Sequence, residues 1–463
     1  MATIVKRNSK YSVVYYYFDE QGEKRQRWET YDSHKEAIRR KSEVEYQIDT
    51  ETFLTPTGHT VEDFLKDFVS LYGESKWALS TYEMNTGVIE NYINPHIGKT
   101  KLQDITPKFV DLFYKKLEKS KAVSTRTRKA NTEYITPRVI EKIHKLLKCA
   151  FRQAVRWELI QRNPFDFAMV KRVKYNPREM WDAATIRQAL DACRDSKLYI
   201  ALNLAFACSM REGEICGLTW NNVHISDGHI AADDAYVYVD KELQRCSQRV
   251  IDTLEQKDIL YIFPSANPKA TTRLVLKTPK TESSVRKIWL PKTVAYILRS
   301  WKKSQDELRD FLGDEFQDYN MVLTQSDGRP CEGRLILKEL KALKEEAGLP
   351  DVVFHSLRHS STTYKLKLNH GDLKATQGDT GHAEIDMITK VYAHILDEDR
   401  KINAQKMEAS FYSNPDLRKV KTPPNPGAEV DLAGLISKLQ ESPELARTLA
   451  TVIGDIQKRD EAS

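Results

Sequence analysis

Residues 137–160 can do little other than form a long helix with two unlike faces. Ile140, Ile143, Leu147, Phe151 and Ala154 recur at the helical period of 3.6. Arg138, Lys142, Lys145, Arg152 and Arg156 lie three, four or seven residues apart and share a second face, read here as a stripe of one sign. Like charges at that spacing repel, and a phosphate backbone would relieve the repulsion. Residues 108–174 carry eighteen Lys and Arg against six Asp and Glu, a net of +12, while the whole chain carries +6. The remainder is therefore net acidic. A concentrated basic segment points to a polyanionic partner, most often nucleic acid, with a solubilising surface as the alternative.

A chain of 463 residues has room for roughly three domains. Its 40% hydrophobic and 30% charged residues exclude collagen-like, disulfide-framework and wholly disordered classes. Cys149, Cys193, Cys208, Cys216, Cys246 and Cys331 include no CxxC pair and no cluster with metal-ligand spacing, so reduced, buried thiols and no metal are expected. The longest apolar run, residues 198–208, contains Asn203 and reaches only about half a membrane span. The opening MATIVKRNSK has no apolar signal core. A cytoplasmic, nucleoid-associated protein without membrane contact is the expectation.

The predicted fold class is multidomain and mainly α with small antiparallel β-sheets (α+β). In residues 1–55, the β-branched and aromatic run of residues 11–18 predicts a strand, and Gly22 a turn. A second strand carries Arg25, Arg27 and Trp28, and a helix covers residues 33–48. Basic residues interleaved with aromatics suggest a sheet that lays Arg25, Arg27 and Trp28 into a DNA groove; a structural appendage is the alternative. Residues 56–168 read as helical, with Ser80 and Glu83 spaced as a capping box and Pro107 at a first helical position. Asn163-Pro164 ends the last helix, and residues 169–177 form a basic linker. Residues 178–412 are mostly helices with a few central strands. Residues 413–463 follow a Pro-rich break and show helical patterning in Leu432, Leu435, Ile436 and Leu439.

Chemistry-bearing residues concentrate in residues 178–412. Arg211 closes a buried helix and needs a partner or an anion; Glu214 is near enough to orient it, and a plain buried ion pair is an equal reading. Lys280 joins two strand-like segments, residues 273–277 and 285–290, and so sits on a predicted hairpin tip. His355, Arg358 and His359 share one helical face, which suits binding an anion or moving a proton. Gly381-His382 is followed ten residues on by Tyr392 and His394.

Taken in order, Arg211-x-Gly-Glu214, Pro279-Lys280-Thr281, His355-x-Leu-Arg358-His359, Gly381-His382 and Tyr392-x-His394 resemble the tyrosine recombinase (phage integrase) family. Upstream, Tyr92-Ile93, Pro95-His96-Ile97-Gly98 and Ile105-Thr106 look like that family's core-binding domain, and residues 28–37 like its arm-binding module. Residues 413–463 have no counterpart in the pattern, and residues 121–136 look longer than the usual connection. The added arm-binding module resembles integrases of prophages or conjugative elements.

The resemblance implies a tyrosine recombinase catalytic fold with a helical core-binding domain, acting on double-stranded DNA at core and arm attachment sites. It implies a homotetramer on DNA and an accessory DNA-bending or directionality protein. Tyr392 would attack a phosphodiester to leave a 3′-phosphotyrosine and a free 5′-hydroxyl, keeping the bond energy for religation without metal, ATP or cofactor. A phenol has an ordinary pKa of about 10 and needs help to lose its proton. His355 would take that proton, Arg211 and Arg358 would clamp the non-bridging oxygens, Lys280 would protonate the leaving oxygen, and His382 would donate a further hydrogen bond. Glu214, His359 and His394 would support them. Lys142, Lys145, Arg152 and Arg156 would track phosphates. A type IB topoisomerase-like enzyme and a non-catalytic DNA-binding regulator are the other readings.

Overall fold

The computed structural model describes residues 2–18, 22–50, 53, 58–124, 129–171, 179–265, 267–368 and 373. Tyr392, His382, His394 and the segment 413–463 lie outside the described residues, as does most of the basic linker.

The described residues form three hydrophobic cores, of which the first is small. Strands β1 (Thr3–Arg7), β2 (Lys10–Phe18) and β3 (Lys24–Tyr31) form an antiparallel sheet in that order. Gly22 takes a φ of +77°, which glycine adopts at least cost, just before β3. Helix α1 (His34–Asp49) starts at Ser33, whose hydroxyl accepts from the Glu36 amide. It buries Ala37 and Val44 with Val13 and Tyr15.

The second core is helical. Helix α2 (Val61–Asp67) carries a true capping box from Thr60 and Asp63. Helix α3 (Leu79–Val88) follows Ala78 with no side-chain cap, so Ser80 lies inside its first turn rather than before it. Helix α4 (Pro107–Glu118) is capped by Thr106, with Pro107 at its first position as expected. Helix α5 (Pro137–Arg156) buries Ile140, Ile143, Leu147, Phe151 and Ala154 on one face. It stops short of residue 160 because Glu158 adopts a φ of +59° and turns the chain away. Phe64, Phe68, Trp77 and Phe151 meet in edge and stacked ring contacts that fix the helices against one another.

The third and largest core surrounds α7. From residue 183 onwards the principal elements are, in chain order, α6 (Ala183–Ala192), α7 (Ser196–Ala207), α8 (Glu212–Cys216), β4 (Val223–His224), β5 (Tyr236–Val239), β6 (Glu242–Ser247), α9 (Gln248–Thr253), β7 (Ile259–Phe263), β8 (Thr272–Lys277), β9 (Arg286–Trp289), α10 (Lys292–Leu312), α11 (Gly333–Glu346) and α12 (Phe354–Leu368), all but α9 contributing to this core. One sheet runs β4-β5-β9 and another β6-β8-β7, both antiparallel. Helix α7 buries Leu198, Ile200, Ala201, Leu202, Leu204 and Ala205, residues spread around its girth, and α8, α10, α11 and α12 pack on it. A helix apolar on every side belongs at the centre of a core.

The helical core does not end with α5. Cys246 of β6, Val250 and Ile251 of α9, Leu254 just after it and Val275 of β8 are buried within it. Arg249 pairs with Glu90 at 2.8 Å, and the Lys257 ammonium donates to the carbonyls of Glu74 and Ser75 at 3.3 and 2.5 Å. Among the described residues, no helix is long and apolar enough to cross a membrane.

Candidate active site

The end of α7 sets the geometry. The chain turns at Ser209, fully buried with a φ of +52°, and delivers Arg211 to the N-terminus of α8. Glu214, three residues on, reaches back so that its carboxylate accepts from the Arg211 amide at 2.8 Å and from the Arg211 guanidinium at 2.6 Å. Helix α8 is seated hard against β6: a Cβ on Gly217 would come within 2.7 Å of the Leu243 nitrogen. The base beneath Arg211 therefore has little freedom.

Helix α12 supplies the second guanidinium. Arg358 is 1% exposed and donates from Nη1 to the Ser209 carbonyl. One turn further along, the hydroxyls of Ser361 and Ser209 meet at 2.6 Å. The α7–α8 turn and α12 are thus stitched together by the residues that carry the two arginines. Burial, and then the charge of Arg211, pull the Arg358 pKa down to about 9. His355 and His359 lie on the same helix with rings perpendicular and 4.8 Å apart; His355 is exposed and His359 half-buried. All three lie on α12, where the two imidazoles meet while Arg358 turns inward to the Ser209 carbonyl.

A third guanidinium was missed by the sequence reading. Arg286 begins β9 and is buried. Its Nη2 lies 3.0 Å and its Nη1 3.2 Å from the two oxygens of Glu214, a bidentate pairing. Burial pushes the Glu214 carboxyl up, but hydrogen bonding and charge from Arg286, and charge from Arg211, outweigh it and hold the pKa below the ordinary value. A signal was present in the sequence. Arg286 stands in phase with Ile288 and Leu290, which strand alternation sends to the core, and a charge in that phase needs a buried partner.

Lys280 is not on a hairpin tip. The strands on either side of it belong to different sheets: β8 pairs with β6 and β7, while β9 pairs with β5. Neighbours in sequence are not neighbours in the ladder, because β6 and β7 occupy both edges of β8. Lys280 is exposed on the crossover between the sheets, just before a tight turn at Glu282–Ser284. That crossover is tied to the arginines. The Ser284 hydroxyl accepts from Arg211 Nη1 at 3.3 Å and lies 2.9 Å from the Thr281 hydroxyl, and the Ser284 carbonyl accepts from Arg286 Nη1 at 2.9 Å.

Two expectations about basic surfaces are corrected. Strand pairing places Arg25 and Arg27 opposite Tyr17 and Tyr15, on the side packed by α1, and Trp28 opposite Val14 on the other side. The three cannot lie in one groove together, because neighbouring residues of a strand point to opposite faces. Arg25 pairs with Glu23 at 2.7 Å and Arg27 with Glu29 at 3.2 Å. The face bearing Trp28 instead carries Arg7, whose guanidinium lies 4.8 Å from the indole centroid, and Lys24, 4.7 Å from the Tyr16 ring. On α5, Arg138, Lys142, Lys145, Arg152 and Arg156 are all exposed, but the stripe is not of one sign: Glu141 sits one turn before Lys145 and pairs with it at 2.7 Å.

The Phage integrase family pattern matches residues 179–399, and the Phage integrase N-terminal SAM-like domain matches residues 60–118. An integrase of Saccharopolyspora erythraea is 22% identical over 76% of this chain and 83% of its own length. A tyrosine recombinase XerC-like protein of Caldanaerobacter subterraneus subsp. tengcongensis is 25% identical over 70% of this chain and 76% of its own. The solved structure of a Tn1549 transposon integrase fragment with a circular intermediate DNA superposes with a TM-score of 0.54 at 19% identity, covering 76% of this chain and all of that one. At that identity the likeness is one of fold.

Proposed function

The chain belongs to the phage integrase family and is a site-specific tyrosine recombinase, and from that premise we propose that it cuts and rejoins duplex DNA through a 3′-phosphotyrosine on Tyr392. The observation that carries this reading is the pairing of Arg211 and Arg286 with the one carboxylate of Glu214, with a third guanidinium, Arg358, buried within the electrostatic reach of all three. Such a centre carries excess positive charge in a dry setting and is complementary to a phosphate that gains charge in its transition state.

The chemistry runs as follows. Arg211 and Arg358 hold the two non-bridging oxygens, Arg358 from a rigid buried position and Arg211 from a more open one. The Tyr392 oxygen attacks phosphorus and its proton passes to His355. The P–O5′ bond breaks and the departing oxygen takes a proton from Lys280. His382 donates a further hydrogen bond to the phosphate, and His359 and His394 support His355 and Tyr392. Religation reverses each step, so no metal, ATP or other cofactor enters.

Residues 178–412 serve as the catalytic domain, 56–168 as the core-binding domain, 169–177 as their linker and 1–55 as an arm-site binder. Lys142, Lys145, Arg152 and Arg156 follow phosphates from α5. Arg25 and Arg27 act at the side of the arm-site sheet, while Arg7, Lys24 and Trp28 face the groove. Four protomers assemble on paired sites with an accessory DNA-bending or directionality protein, at the nucleoid in the cytoplasm. The amino-terminal module of residues 1–55 makes a prophage or a conjugative element the source we favour.

Covalent-adduct capture tests the proposal. Wild type and Tyr392→Phe are expressed beside the native flanking DNA, denatured, and any attached DNA is sequenced. An adduct at one discrete sequence in the wild type alone is the expected result. An adduct that persists in Tyr392→Phe removes the nucleophile assignment, and adducts scattered without sequence preference indicate a strand-relaxing enzyme.

A further inference from the structure

We infer that Arg286 is a positioning residue that sets the transition-state arginine and the leaving-group acid from a single buried anchor. The inference rests on the reading of Lys280 as the acid and deepens it. Arg211 and Lys280 come from segments about seventy residues apart, which touch through one long bond from Arg211 Nη1 to the Ser284 hydroxyl at 3.3 Å. Arg286 bridges them. Through Nη1 and Nη2 it grips both oxygens of Glu214, and Glu214 in turn fixes the Arg211 backbone and guanidinium. The same Nη1 donates to the Ser284 carbonyl, and Ser284 closes the turn that begins at Thr281, next to Lys280. The Ser284 hydroxyl completes the loop by accepting from Arg211.

Arg286 is 8% exposed and Glu214 1%, so this anchor works where water does not compete and where geometry is held closely. A guanidinium is needed for the task. Its planar fork can meet a carboxylate on one side and a carbonyl on the other, whereas an ammonium is a point charge that would keep the charge balance with Glu214 and lose one of the two directions. Arg286→Lys therefore separates anchoring from simple neutralisation of the buried carboxylate.

The test uses the full chain and single-turnover adduct formation on two duplexes carrying the native core site. One has an ordinary phosphodiester at the cut; the other has sulfur in place of the bridging 5′ oxygen, a leaving group that needs no acid. Lys280→Ala serves as reference and is expected to lose about 100-fold or more on the ordinary substrate and to recover on the sulfur substrate. Arg286→Lys is expected to lose about 10- to 100-fold on the ordinary substrate, with DNA affinity unchanged, and to recover at least 5-fold with sulfur. Ser284→Ala, which removes the direct Arg211 contact and leaves both Arg286 contacts, is expected to cost less than about 10-fold; Arg286→Gln, whose amide can still donate to one of the two partners, serves if Arg286→Lys does not fold and is expected to show the same selective recovery. An equal loss on both substrates, or no loss, while Lys280→Ala recovers, overturns the role of Arg286. Failure of Lys280→Ala to recover overturns the acid assignment, and the linkage with it.

Discussion

Glu214 shows how much one side chain can organise. It is an almost wholly buried carboxylate between two guanidinium groups. Removing one member of such a set leaves the others without compensation, which costs about 3–5 kcal/mol in comparable buried pairs. Glu214→Gln is therefore expected to lower the melting temperature by several degrees, read by calorimetry, and to cut adduct formation more steeply than its effect on DNA affinity. Glu29 plays a similar part in the small amino-terminal core. Burial opposes its ionisation, but Arg40 and the hydroxyls of Tyr15 and Tyr31 bind the carboxylate and bring its pKa from 4.5 down to about 2. A carboxyl lowered on folding stabilises the folded form above its unfolded pKa and gives that stability up as pH falls towards the folded one. The sheet should thus open to pepsin progressively between pH 4.5 and about 2. Glu29→Gln should be pepsin-sensitive already at the upper end and show little further change with pH.

At the scale of elements, what could be read in advance was what is local. Arg211 with Glu214, and His355 with His359, are spaced so that a single helical turn brings them together, and the structure places them so, while Arg358 on the same helix turns inward to Ser209. The basic and apolar faces of α5 follow from the same period. Arg286 escaped because it stands 72 residues from Glu214, and only the pairing of β9 with β5 delivers it. Lys280 was misplaced for a related reason: two adjacent strand-like segments suggest a hairpin, and nothing local reveals that each has other partners. In the amino-terminal sheet, one step of strand alternation separates Trp28 from Arg25 and Arg27. Alanine at Trp28 and Arg7 together is expected to weaken binding to arm-site DNA about 10-fold or more, since a stacked or cation–π aromatic is worth about 1–3 kcal/mol against nucleic acid. The pair Arg25→Ala and Arg27→Ala should cost less. Electrophoretic titration on one arm duplex ranks the two, and the reverse order would assign the groove to the α1 side.

For the whole molecule, the basic segment and the acidic remainder imply binding that fades with salt. The slope of log affinity against log salt should fall in magnitude by about one for each phosphate contact removed from Arg152 or Arg156, measured by titration at several ionic strengths. Removing residues 1–55 should leave cleavage of an isolated core site while weakening recombination of full sites; loss of core cleavage would show that the small sheet is not a separate arm binder.

The burial of α9 inside the helical core has a consequence for how the chain comes apart. Val250, Ile251 and Leu254 are 1–5% exposed there, whereas the nearby Arg249–Glu90 pair is largely in water and contributes at most about 1 kcal/mol. The helical bundle takes up the chain as far as Val170 and is completed, some eighty residues later, by Val250, Ile251 and Leu254. The bundle is thus built by non-contiguous stretches, like a garment fastened at two places. A single protease cut between residues 171 and 179 should yield two fragments that stay together through gel filtration and part only in denaturant. With Ile251→Asp the same nick should set them free.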